Sequence, residues 1–237
     1  MRKTSFIEFY GLPGSGKSTL SHIVAERLRS EGLSVDEPSY DIDHQLPLPK
    51  KVKKFAVGGY WFVFRHGQYR RIYEIVKQNG YKGLTAFTMT VNVIQKMRIY
   101  NCRKQTEIVI MDQGLIQACV SLSTNGNIRA KENYERLLTM MPNAANASKI
   151  YIDVNDETAL DRMSQRATND SRVEKLKDMD AKKEMLNRIR CEMTHLRELW
   201  EDSGNDIVIV SSNDLKEDID ATYDAITKML TEKNNKK

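Results

Sequence analysis

The chain offers little from which to build a covalent framework or a metal centre. Among 237 residues only three are cysteine, Cys102, Cys119 and Cys191. They are odd in number, widely spaced and form no metal or redox motif, so they read as buried or half-buried free thiols in a reducing compartment. The four histidines, His22, His44, His66 and His195, share no ligand spacing. No apolar run approaches the roughly 18 residues of a membrane span. The opening MRKTSFIEFYG lacks the apolar core of a secretory leader. The expectation is a cytoplasmic protein with no membrane association. Internal repeats, low-complexity tracts and a linker between halves are also missing, which favours one α/β domain over residues 1–237.

What is present is ordinary for a folded protein: 40% hydrophobic and 29% charged residues, which excludes wholesale disorder. The net charge of +5 raises the question of nucleic acid. Much of the excess sits in PKKVKKF (49–55), RHGQYRR (65–71) and the terminal NNKK. Mild basicity equally suits a protein that holds polyphosphates, so nucleic acid is not the favoured partner.

One stretch carries specific chemistry. In FIEFYGLPGSGKSTL, Gly11, Gly16, Lys17 and Ser18 fit the spacing G-x-x-x-x-G-K-[ST]. Phe6, Ile7, Phe9 and Tyr10 ahead of it read as a buried strand. Leu20, Ile23, Val24 and Leu28 behind it repeat at helical spacing up to Gly32, a C′ stop. Glycines let backbone N–H groups curl around an anion, and the following helix adds its positive dipole end. Gly11, Gly14, Ser15, Gly16, Lys17, Ser18 and Thr19 are thus expected to cradle the phosphates of ATP. Lys17 would reach the β- and γ-phosphates, and the Ser18 hydroxyl would ligate Mg²⁺.

Strands and helices alternate along the rest. Strands are expected at 33–35, EIVIMD (107–112), KIYIDV (149–154) and DIVIVS (206–211). The last two, as apolar runs, suit central positions in a parallel sheet. Helices are expected over about 60–100, broken at NGYKG (79–83), and over 115–122. Others are expected over 134–141, closed by Pro142, then 173–200, and 215–230 as the last. Asn155 is a cap candidate. Leu176, Met179, Leu186, Ile189, Met193 and Leu196 form one stripe of the 173–200 helix. The pattern is a three-layer, doubly wound α/β fold with a five-stranded parallel sheet of P-loop NTPase type, whose ligands gather at the carboxyl ends of the strands.

Three acids fall at those ends: Glu37, Asp112 and Asp153. Asp112 is the best candidate to hold Mg²⁺ beside Ser18; Asp153 reads equally as a helix cap or solvated acid. In DETALDRMSQRATNDSR, Arg162 and Arg166 stand at i, i+4 on one face, with Arg172 beyond a polar break. By spacing alone a solvated face accounts for them.

The order of phosphate loop, DEPS, VIMDQ and YIDV…ALDRMSQR…SR resembles the thymidylate kinase and deoxynucleoside kinase group of P-loop kinases, from about Phe6 to Arg172. The resemblance implies a lid at about 156–174, with Arg162, Arg166 and Arg172 near the ATP phosphates. It also implies a helical acceptor-side region at about 41–104, and Glu37 of Glu-Pro as base toward an acceptor hydroxyl. It departs at Asp112-Gln113-Gly114, where the group commonly carries an arginine after the acid. The implied activity is γ-phosphoryl transfer from ATP to a nucleoside or nucleoside monophosphate. Sugars, antibiotics and nucleic-acid ends remain as acceptors, and a non-catalytic ATP sensor remains as the other class. Tyr40, Phe55, Tyr60, Trp61, Phe64 and Arg65 are pocket candidates, each more readily read as core, and the 60–100 helices offer a homodimer face. A regulatory GTPase is disfavoured, since no Asn-Lys-x-Asp occurs.

Overall fold

The computed structural model describes residues 4–38, 59–101, 106–124, 126–166, 171–202, 207–211 and 215–235. Tyr40, Phe55 and Cys102 lie outside them, as do parts of the expected acceptor-side region and lid. Five strands form one parallel sheet in the order β2-β3-β1-β4-β5. They are β1 (Ser5–Gly11), β2 (Val35–Asp36), β3 (Ile108–Met111), β4 (Ser148–Asp153) and β5 (Ile207–Ser211). The helices among the described residues include α1 (Lys17–Ser30), α2 (His66–Gln78), α3 (Gly83–Asn101), α4 (Leu115–Ser123), α5 (Ala130–Leu138), α6 (Pro142–Ala145), α7 (Asp156–Ser164), α8 (Met179–Asp202) and α9 (Leu215–Asn235). A short helix covers 59–64.

The period-2 alternation of the strands divides the core into two layers. Ile7 and Phe9 of β1, Ile108 and Ile110 of β3, and Ile150 and Ile152 of β4 pack with Leu20, Val24, Leu28 and Ile226 of α1 and α9. Phe6 and Tyr10, Val109 and Met111, and Tyr151 face the opposite way, into the larger layer under α2–α5 and α8. Both faces of the central strands are covered, which is why their sequences are apolar runs rather than alternations.

Several boundaries differ from the sequence reading, each for a local reason. Gly32 takes φ +87°, and the Leu33 amide donates back to the Leu28 carbonyl at 3.2 Å. That closure spends the donor, so β2 begins at Val35. Pro142 opens α6 at its first turn, where a missing N–H costs nothing. The expected 173–200 helix starts later, at Met179: the Asp178 carboxylate accepts the Ala181 amide at 2.8 Å, capping α8. Met179 is exposed, while Leu186, Ile189, Met193 and Leu196 are buried as expected. β5 is an edge strand with Ile209 50% exposed; an apolar run records cover on a strand's faces, not a neighbour on each side. Cys119 is buried, but Cys191 is exposed on α8. Asn155 caps α7 as expected, its side chain accepting the Thr158 amide at 2.7 Å. No helix among the described residues is long and apolar enough to cross a membrane.

Candidate active site

The phosphate loop sits where β1 hands over to α1. Gly14 has φ +83° and Gly16 φ +87°, a region that L side chains rarely enter. A Cβ on Gly14 would also fall 2.3 Å from the Ala159 carbonyl oxygen, so glycine there lets α7 press against the loop. Gly16 is the N-cap of α1 and offers no side-chain cap, which leaves the first-turn amides to an anion. The Lys17 ammonium folds back onto the loop, donating to the Gly11 carbonyl at 2.9 Å, the Leu12 carbonyl at 2.7 Å and Ser15 Oγ at 3.2 Å. Burial pushes its pKa down to about 7; Asp112 works against that shift and Arg166 adds to it.

Ser18 and Thr19 are exposed beside the loop. Ser18 Oγ donates to Asp112 Oδ2 at 2.7 Å, while Asp112 Oδ1 is buried with no hydrogen-bond partner. A hydroxyl, a carboxylate and an unsatisfied carboxylate oxygen are hard oxygen donors of the kind Mg²⁺ prefers, with its remaining positions left to water and phosphate. The residues therefore fit the ion, and Ser18 and Asp112 would hold it.

The sheet order lines up Glu37 after β2, Asp112 after β3, the loop after β1 and Asp153 at the end of β4 along one edge. Glu37 is 3% exposed. Its Oε2 accepts from Arg29 Nη1 at 2.8 Å and lies 3.2 Å from His22 Nδ1. Burial raises its pKa, with Arg29 and His22 opposing. Among the described residues both contacts fall on one oxygen, which leaves Oε1 to accept a proton. His22, Glu26 and Glu37 come close enough to suggest a metal cluster, but Arg29 donates to both carboxylates and sets a cation against the oxygens an ion would need. Asp153 is engaged at 3.4 Å by Arg190, which also bonds Asp156; here the solvated-acid reading holds.

Arg162 Nη1 approaches the Ser15 carbonyl at 3.5 Å, which places it over the phosphate loop. Arg166 lies near enough to Lys17 to bear on its charge, and faces Glu174 at 3.8 Å. The structure does not bring Arg172 to the loop. Its guanidinium donates to the Tyr81 hydroxyl at 2.8 Å and the Ser121 carbonyl at 2.9 Å, with Met89 Sδ at 3.3 Å. Bonded to α3, α4 and the turn between α2 and α3, it anchors the segment between α7 and α8. Of the pocket candidates, Trp61 is buried, whereas Tyr60, Phe64 and Arg65 are exposed.

One residue escaped the sequence reading. Glu8, in the middle of β1, is 1% exposed. Its Oε2 accepts the Tyr100 hydroxyl at 2.7 Å and its Oε1 accepts the Ile116 amide at 2.6 Å. Burial raises its pKa, against the pull of those two bonds and of Lys149, its register partner on β4. Glu8 thus caps α4 from inside the sheet and fixes the turn that carries Asp112. Gly114 is glycine because a Cβ there would lie 2.2 Å from Glu8 Cδ. The available signal was a lone carboxylate inside an apolar strand. Glu8→Ala should strand the Ile116 amide and the Tyr100 hydroxyl, costing about 3 kcal/mol, or roughly 6–12 °C in melting temperature for a chain of this size. Gly114→Ala should cost about 1–3 kcal/mol by overpacking, and less than that in the Glu8→Ala background. Strict additivity in calorimetric melting of the double mutant would refute the contact.

The AAA domain family matches residues 6–196, a span from β1 into α8 that holds every candidate above. Among solved structures, deoxyadenosine kinase from M. mycoides with bound dATP is 16% identical at a TM-score of 0.54. The same enzyme with the products dCMP and a flexible dCDP is 17% identical at 0.50. Each likeness covers 94% of this chain and 99% of the other. No curated protein matches the chain in sequence. Identities this low speak for the fold alone, and that fold, an all-parallel sheet with the phosphate loop after β1, is the deoxynucleoside kinase-like P-loop fold. By the extent of its sequence match, the chain belongs to the AAA domain family.

Proposed function

We propose that the chain is an ATP-dependent phosphotransferase that moves the γ-phosphoryl group to a nucleoside or nucleoside monophosphate. The observation that carries this reading is Glu37: a buried carboxylate with one oxygen that is uncommitted among the described residues, one strand beyond Asp112 on the ligand edge of the sheet. A sensor that only bound ATP would have no use for a base there. The phosphate loop and Lys17 bind and orient the polyphosphate, and Ser18 with Asp112 would hold Mg²⁺, which supplies charge neutralisation at the phosphates. Arg162 and Arg166 offset the charge that develops on the transferred group. Glu37 takes the proton from the attacking hydroxyl.

Gln113 is exposed at the same edge, where an uncharged donor suits a hydroxyl better than a phosphate. Within the proposal this favours a nucleoside as acceptor. The test is transfer from radiolabelled ATP·Mg²⁺ across nucleosides, nucleoside monophosphates, sugars and DNA or RNA ends. Label on a nucleoside hydroxyl is the expected outcome. Tight ATP binding with no acceptor labelled would return the chain to the sensor class, and label on a sugar or nucleic-acid end alone would overturn the nucleoside reading. On the productive acceptor, Arg162→Ala and Arg166→Ala should each lower kcat by roughly 10²–10³-fold while ATP affinity changes far less. Wild-type kcat in both variants would make these arginines a solvated face.

A further inference from the structure

The surface formed by the 59–64 helix and the first half of α2 has no part in the proposed phosphotransfer. Trp61 is buried and anchors it, yet Tyr60, Phe62, Val63 and Phe64 are each at least 54% exposed. They are held in place: the Tyr60 and Phe64 rings lie 5.1 Å apart, and Phe62 stands edge-on to His66 at 5.3 Å and to Tyr69 at 5.5 Å. Four neighbouring large apolar side chains presented to water mark a docking surface rather than ordinary scatter.

The charge beside them is predominantly positive. From Gly59 to Tyr73 the sequence holds Arg65, His66, Arg70 and Arg71 and no acid, Glu74 being the first. Arg70 and Arg71 are exposed, and among the described residues no acid pairs with either. With Arg136 of α5 and one acid, Glu74, they line an open cavity of about 660 Å³ that also borders Ile75 and Met140, three arginines against one carboxylate. The Met140 carbonyl accepts from Asn101 in the last turn of α3, just ahead of β3. The cavity therefore lies toward the amino edge of the sheet, away from the phosphate loop.

We propose that this surface docks on a membrane of anionic phospholipids. The rings enter the interfacial layer, Arg70 and Arg71 meet the lipid phosphates, and the cavity with Arg136 receives a headgroup. Exposed aromatics next to exposed arginines are the composition of an interfacial anchor, whose binding grows with buried apolar area and with attraction to acidic lipid. That no helix among the described residues is long and apolar enough to cross a membrane does not bear on attachment from one side. A nucleic-acid strand fits less well, since Val63 offers no face for a base to stack on. A second copy of this chain, related by a twofold axis, would bring a second patch of the same net positive charge against this one. The inference does not depend on the kinase reading.

The test is sedimentation of the full chain with vesicles of phosphatidylcholine alone, and with vesicles of equal parts phosphatidylcholine and phosphatidylglycerol. Binding is expected to the second only. Phe62→Ala and Phe64→Ala should each weaken it roughly tenfold, and Arg70→Ala with Arg71→Ala together roughly 30-fold. These side chains are exposed, so melting temperatures should stay at the wild-type value. Equal binding to both vesicles, or acidic-vesicle binding indifferent to the substitutions, overturns the proposal. So does a dimer in sedimentation velocity that Phe62→Ala and Phe64→Ala dissociate, or retention on single-stranded oligonucleotides with the same arginine dependence and no acidic-vesicle binding.

Discussion

Lys17→Ala is expected to abolish measurable ATP·Mg²⁺ binding in calorimetry and leave the fold intact. The side chain already donates to three groups of the loop, so its ammonium sits at the centre of the cradle that phosphate oxygens would enter. Loss of a charge-assisted contact of this kind costs about 3 kcal/mol, more than a hundredfold in affinity. Folding does not need it, because burial already disfavours the charged form and holds the pKa near 7. The sign of that shift gives a second readout. Above about pH 7 the amine of the empty protein is largely neutral; polyphosphate favours the ammonium and draws its pKa upward, so binding takes up a proton there. The apparent enthalpy of ATP binding near pH 8 should therefore depend on the buffer's ionisation enthalpy, and below pH 6 the dependence should fade. Wild-type affinity in Lys17→Ala would disprove the assignment of the loop.

Glu37→Gln is expected to cut phosphoryl transfer to a hydroxyl acceptor by roughly 10²–10⁴-fold, the span of acid–base catalysis, with ATP affinity nearly unchanged. The amide keeps the size and can still accept from Arg29, so the change isolates the base. The direction of the pKa shift sets the pH dependence. Burial raises the Glu37 pKa above 4.5, and the base is lost as pH falls through that raised value. The wild-type kcat/KM profile should then show an acid limb above 4.5 that the variant lacks. An acceptor phosphate brings no proton to remove; with such an acceptor the same substitution should act on KM or do little. A hydroxyl acceptor transferred at wild-type rate by Glu37→Gln would remove Glu37 from catalysis.

The sequence alone determined what depends on neighbours along the chain. A phosphate loop is a local object: glycines at Gly14 and Gly16, Lys17, Ser18 and the onset of α1 lie within a few residues, so spacing reveals them. Hydrophobic runs located every strand, and periodicity most helices, because covered faces leave their imprint on consecutive residues. The sheet's order, Glu37's partners and the hold on Arg172 depended on contacts between distant residues, and only the tertiary structure decided them. β5 reads like β4 in sequence yet, among the described residues, has β4 as its only sheet neighbour, since composition records burial of faces, not pairing of edges. Arg29 and Arg172 look like any surface arginine until α1 delivers one to Glu37 and the segment between α7 and α8 delivers the other to Tyr81 and Ser121. Glu8 is the sharpest case. Its carboxylate is tolerated inside β1 because Tyr100, ninety-two positions away, and Ile116, one hundred and eight away, converge on it, and that convergence fixes the turn bearing Asp112.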